Sequence, residues 1–205
     1  MKILLTLFVL LFSSFVNAKE FKSSHGFSFI LDDTYEHIME ANFSEMETMI
    51  KAMTEIIDDE NFNDFANSFS SYENIIKNNK IEFLYDFERY TFFDSINIMQ
   101  FEVESFFKKD LKDINFVEIC ELTTEGTNKK FNVNQTIYAC VPLDIPKNAK
   151  WSFAREVSGI NFGRTIQVQF EYNEKQTAIT ITCLEENCDN MRQDLSKILT
   201  TMTFN

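Results

Sequence analysis

Hydrophobic and polar positions alternate with a period of two near the C-terminal end of the chain. Ile166, Val168, Phe170 and Tyr172 stand on one side of residues 165–172, and Ile179 and Ile181 do the same along 177–183. Such alternation marks half-buried strands, and the polar turn Asn173-Glu174-Lys175-Gln176 joins the two into a hairpin. Residues 81–87 and 95–101 have strand character. So do 26–31, aromatic and β-branched, which end at Asp32-Asp33. Further strands are predicted over 116–123, 133–141 and 151–157. A different period governs Met39, Phe43, Met46, Ile50, Met53 and Ile57, which recur at steps of three and four and predict a helix over 34–58. Asp33-Thr34-Tyr35-Glu36 has the spacing of a capping box at its start. The methionines on that face read as core packing, with an adaptable binding groove as the alternative.

A second helical pattern runs through Phe62, Phe65, Phe69, Tyr72 and Ile76 and stops at Asn78-Asn79-Lys80. Helices are also predicted over 102–113, with Phe106, Phe107 and Leu111 on one side, and over 188–201. No linker rich in Pro, Gly or Ser interrupts residues 19–205, which predicts a single domain. Irregular alternation of helices with direct hairpins favours an α+β fold, an antiparallel β-sheet flanked by helices, over a doubly wound parallel sheet.

The first residues belong to another category. Lys2 precedes the apolar run 3–16, and Val16-Asn17-Ala18 places small residues three and one positions before a cut between Ala18 and Lys19. This is the layout of a secretory signal peptide over residues 1–18, with a retained anchor as the alternative; the run is short for a bilayer span. After processing no stable membrane span is expected, and the location is periplasmic or secreted. Four cysteines, Cys120, Cys140, Cys183 and Cys188, all lie beyond the cut. In an exported chain an even number reads as disulfides. Cys120 with Cys140 and Cys183 with Cys188 is the favoured pairing, because a hairpin folded at residues 126–130 would set the first two opposite each other. Zinc is the competing reading, but the spacings are looser than those of usual ligand pairs.

Three segments together resemble a known group of exported domains: Gly26-Phe27-Ser28-Phe29; Ile81-Glu82-Phe83 with Asn97-Ile98; and 177–182 followed by a helix, Ile198-Leu199-Thr200 and Phe204. In this order they are similar to PsbP-like and DcrB-like proteins. The resemblance implies an α/β/α sandwich closed by a helix and a short aromatic-ending strand, and a non-enzymatic accessory role. It carries no functional residue over to this chain.

Charge and composition narrow the function. The 205 residues include 32 Asp and Glu against 19 Lys and Arg, for a net charge of −13, and 23 Phe but only 4 Gly. Such an acidic chain repels nucleic acid. The glycines, at 26, 126, 159 and 163, build no phosphate-binding loop. The two histidines, His25 and His37, form no zinc-protease motif; His25 is expected to be solvated and His37 to lie in the first turn of a helix. Asp59, Asn61 and Asn63 alternate like the start of a calcium loop, but Asp64 and Ser70 occupy the places of its Gly and Glu, so a solvated loop is expected. Asn42-Phe43-Ser44 and Asn134-Gln135-Thr136 match the glycosylation sequon. No cofactor and no metal are indicated. The expected function is a non-enzymatic accessory or binding domain of the periplasm or cell envelope, whose partner is a basic protein or envelope component. An exported hydrolase using carboxylates and a carrier of a small apolar ligand are the alternatives.

Overall fold

The alternation at the C-terminal end becomes the centre of a seven-stranded antiparallel sheet. In the computed structural model, which describes residues 18–55, 63, 66–67, 69, 72–79, 81–91, 93–102, 115–131, 134–143, 149–158 and 163–205, the elements in chain order are β1 (Ala18–Lys22), β2 (Phe27–Asp32), β3 (Glu36–Ile38), a 3-10 turn (Glu40–Asn42), α1 (Phe43–Met53), α2 (Tyr72–Asn79), β4 (Glu82–Tyr85), β5 (Ser95–Glu102), α3 (Phe116–Phe131), β6 (Ile137–Pro142), β7 (Ser152–Ser158), β8 (Arg164–Tyr172), β9 (Lys175–Cys183), α4 (Cys188–Thr201) and β10 (Thr203–Phe204). The apolar run at 3–16, the 102–113 helix beyond Glu102 and the calcium-like positions Asp59 and Asn61 lie outside the described residues. Asn63 is helical.

The large sheet has the order β3-β4-β5-β9-β8-β7-β6, and β1-β2-β10 form a second, smaller sheet. Every pairing is antiparallel. The fold is therefore α+β, with helices on both sides of an antiparallel sheet. On one face Leu84, Ile96, Ile98, Ile166, Val168, Phe170, Ile179 and Ile181 pack against Phe27, Phe29 and Leu31 of β2 and against Met191, Leu195 and Ile198 of α4. The opposite face carries two separate apolar clusters. Phe43, Met46 and Ile50 of α1 join Ile76, Ile38 and Tyr85 at the β3-β4 end, so the Met-bearing face of α1 is core there. Ile119 and Cys120 of α3 join Trp151 and Phe153 at the β6-β7 end.

Several sequence expectations change. The helix predicted over 34–58 begins only at Phe43, because residues 36–38 form β3. Thr34 donates its hydroxyl to Asp86 (2.6 Å) instead of capping a helix, and Ile38 is fully buried opposite Phe83. Sheet pairing outweighs a local cap worth about 1 kcal/mol. The strand predicted over 116–123 is the first half of α3, and the supposed turn at 126–130 is its last part. Phe116, Ile119 and Cys120 have helical spacing, and a short apolar run does not by itself distinguish strand from helix. The strand predicted over 133–141 is β6 and starts at Ile137.

The central hairpin is also tighter than its sequence suggests. Tyr172 pairs with Lys175, so only Asn173 and Glu174 turn, both at positive φ (50° and 60°). This is the conformation that two-residue hairpins favour and that Gly tolerates best at the second position. Glu174→Gly is expected to stabilise the fold by about 0.5–1 kcal/mol, since relief of the left-handed backbone exceeds the entropy cost of Gly. Urea denaturation checks this; a destabilised variant would contradict it.

Candidate functional site

Between the two helix-covered clusters, the middle of that second face is polar. Register places Arg155 of β7, Gln167 of β8, Thr180 of β9 and Asn97 of β5 in one row, with Gln169 and Gln176 on the same face. The row is hydrogen-bonded from Gln176 to Arg155, while Asn97 Oδ1 is buried without a hydrogen-bond partner among the described residues. Gln176 Nε2 donates to Gln169 Oε1 (2.6 Å), and Gln169 Nε2 donates to Gln167 Oε1 (2.5 Å). Gln167 Nε2 donates to Thr180 Oγ1 (3.0 Å). Arg155 Nε donates to the same Gln167 oxygen (3.0 Å), and Arg155 Nη1 donates to Thr124 Oγ1 of α3 (2.8 Å). In the sequence these look like solvent-facing positions of alternating strands. In the structure Arg155 is 5% exposed, Gln169 and Gln176 are 2% exposed, and Thr180 and Thr124 are buried.

Arg155 is the unusual member. Its two hydrogen-bond partners are neutral, and it forms no ion pair with a carboxylate among the described residues. Burial alone pushes the guanidinium down to about 10, which still leaves it charged at neutral pH. The sequence contained a signal for it: Arg155 is in phase with Phe153 and Val157, both buried.

The buried acids, in contrast, are heavily bonded. Asp194 Oδ2 accepts from the hydroxyls of Tyr35 (2.8 Å) and Tyr90 (2.7 Å) and from Arg89 Nη2 (3.3 Å). Burial, then the adjacent Asp194, pushes both phenols well above their ordinary range, so they remain donors. Asp94 accepts from the Thr91 N–H and hydroxyl, the Leu184 N–H and the Asn187 amide, joining β5 to the start of α4. Glu82, 1% exposed, accepts from the Ser24 N–H (2.6 Å) and bonds His37 Nε2 (3.1 Å). Burial by itself would raise the Glu82 pKa, but His37 and the Ser24 N–H outweigh it and hold it below the usual 4.5. A depressed carboxylate contributes stability above its unfolded pKa and loses it as pH falls through the folded value. Glu82→Gln is therefore expected to lose less stability than the unaltered protein between about pH 5 and pH 3. Parallel acid denaturation curves would refute this. A general acid needs a raised pKa; Glu82 and the Arg164-paired Glu185 are both displaced downward.

The histidines depart from expectation. His25 is buried at 7% exposure, and His37 lies in β3 against Glu82. Among the described residues no group of three or more His, Cys, Asp or Glu could hold a metal. Cys120 is bonded to Cys140 (Cα–Cα 6.3 Å), and Cys183 to Cys188 (5.2 Å). The first bridge joins α3 to β6 across the helix-sheet interface, not strand to strand as the hairpin argument had it. Closing such a ring contributes about 3 kcal/mol in the chain-entropy model. The bridges suit an oxidising compartment. Ala18 and Lys19 begin β1, opposite Asp32 and Leu31. Of the two sequons, Asn42 is occupied as a clamp: its Oδ1 accepts from the Met39 N–H and its Nδ2 donates to the His37 carbonyl. Asn134 is exposed.

Two surface features complete the picture. A depression of about 710 Å3 beside α1 is lined by Glu40, Asn42, Ser44, Glu45 and Thr48, with Met49 its one large apolar side chain. On α3 the outward positions Glu118, Glu121 and Glu125 are exposed together with Val117 (54%) and Leu122 (49%).

No family model matches the chain, and no curated protein sequence matches it. Among solved structures it is similar to the solution structure of cyanobacterial PsbP (CyanoP) from Synechocystis sp. PCC 6803, with a TM-score of 0.57 at 7% sequence identity, over 94% of this chain and 95% of that one. At that identity the likeness is one of fold.

Proposed function

We propose that this PsbP-like fold serves as a non-enzymatic accessory domain of the periplasm or cell envelope, exported by cleavage between Ala18 and Lys19, and that it binds a basic protein or envelope component. A cut there would leave Lys19 to Lys22 still able to pair with β2. The observation that carries the reading is the outward face of α3. Glu118, Glu121 and Glu125 flank the exposed Val117 and Leu122, an arrangement suited to a cationic segment with an apolar anchor. The net charge of −13 would steer such a partner over distance, and salt would weaken the attraction. The hydrolase alternative lacks support, since the buried acids described above are engaged in holding chain segments together. The depression beside α1 lies against one helix and its preceding turn and is open to solvent, whereas a carrier of apolar ligands needs an enclosed cavity.

Co-purification from the native envelope fraction at low and high salt tests the proposal, with a triple variant, Glu118→Lys, Glu121→Lys and Glu125→Lys, as the comparison. The unaltered protein is expected to retain a basic partner at low salt and release it at high salt, and the variant is expected to retain none. Recovery of no specific partner, or equal retention by the variant, would overturn the assignment.

A further inference from the structure

A charged guanidinium inside a protein is costly unless an opposite charge meets it. Arg155 is 5% exposed and, among the described residues, bonds only to an amide oxygen and a hydroxyl. Holding Gln167 and Thr124 together needs a donor but not a net charge, so its structural contacts leave the cation unexplained. Two of its five N–H donors are used in those bonds. Thr124 Oγ1 accepts from Arg155, which leaves the hydroxyl proton free to donate. A guanidinium and a hydroxyl with nitrogen and oxygen 2.8 Å apart thus offer adjacent donors under α3. Beside them Gln167 is half-buried, so the row is not sealed from solvent on the β8 side.

We infer that Arg155 and Thr124 form a subsite for a small carboxylate, which completes the charge left unpaired among the described residues. The planar fork of Arg matches a carboxylate through two parallel N–H bonds. The little exposure of Arg155 limits the approaching group to a compact one. The net negative charge of the protein opposes anions at long range. Binding is therefore a short-range, desolvated interaction that survives screening by salt. This site is separate from the outward face of α3, so the two assignments stand or fall independently.

Thermal denaturation of the full mature chain provides the test, with sodium formate as probe and sodium chloride at equal ionic strength as reference. Formate is expected to raise the melting temperature saturably beyond chloride, as a ligand of the folded state must. Thr124→Val is expected to need about tenfold more formate for half the effect, the loss of one hydrogen bond to a charged group. Arg155→Gln is expected to abolish the formate-specific shift. If Arg155→Gln does not fold, Arg155→Lys serves instead: it keeps the charge, loses the fork and is expected to weaken the response. No formate-specific shift in the unaltered protein, an equal shift in the Arg155 variant, or a shift with inorganic phosphate but not formate would each overturn the assignment.

Discussion

Arg89→Met is expected to cost about 2–4 kcal/mol of folding stability at neutral pH. One guanidinium serves three carboxylates from distant parts of the chain. Its Nε donates to Asp86 Oδ2 (2.5 Å), Nη1 lies 3.1 Å from Asp32 Oδ2, and Nη2 lies 3.3 Å from Asp194 Oδ2. Lys197 also reaches Asp32, but Arg89 is the only cation paired with Asp86 and Asp194 among the described residues. The ring of Tyr90 lies 5.0 Å from the guanidinium carbon and that of Tyr35 5.4 Å. Burial alone would lower the Arg89 pKa, but the bond to Asp86 and the charges of Asp194 and Asp86 push it up. Removal leaves buried negative charge at the junction of β2, the β4-β5 connection and α4. The range stays below that of a fully buried pair because the Arg89 side chain is 36% exposed and partly screened. Urea titrations near pH 7 would check it; a deficit below about 1 kcal/mol would contradict the account.

Gly163→Ala is expected to be at least as damaging, about 3 kcal/mol or loss of folding. Gly163 has φ +73°, and a Cβ there would sit 2.1 Å from the Cys183 carbonyl oxygen and 3.2 Å from the Leu184 Cα. The obstruction is backbone, and it has no freedom to retreat. Cys183 is tied to Cys188, and the Leu184 N–H is held by Asp94 Oδ1 at 2.7 Å. Gly126→Ala provides the control. It lies on α3 with nothing within 4 Å of the added carbon, and should gain up to about 1 kcal/mol from helix propensity. Expression yield and thermal melting of the two variants separate a backbone requirement from a general intolerance of Gly replacement.

The parts of the fold legible from the chain are those whose signal is local and repeated. The hairpin of β8 and β9 shows period-two alternation along both arms, and α4 spans 188–201 as its pattern indicates. Segments 34–38 and 116–123 are different. The first has a helical start signal but forms β3, where pairing with Leu84 and Phe83 and the His37–Glu82 bond override it. The second is an apolar run compatible with either period, and only the chance to bury Ile119 and Cys120 against Trp151 and Phe153 makes it a helix. The polar row was hidden for another reason. Gln167, Gln169 and Thr180 alternate with apolar residues just as solvent-facing side chains would, and alternation does not report whether a helical layer covers the second face.

Composition alone established an acidic protein, and period and spacing were enough to establish the β8-β9 hairpin and the closing helix, because each of those elements depends on neighbours within a few residues. The folded arrangement alone brought Asp32, Asp86 and Asp194 to one arginine and left Arg155 without a carboxylate among the described residues. Those outcomes depend on which residues of distant segments share an interior, where the cost of unmatched charge is set by surroundings that no local pattern records.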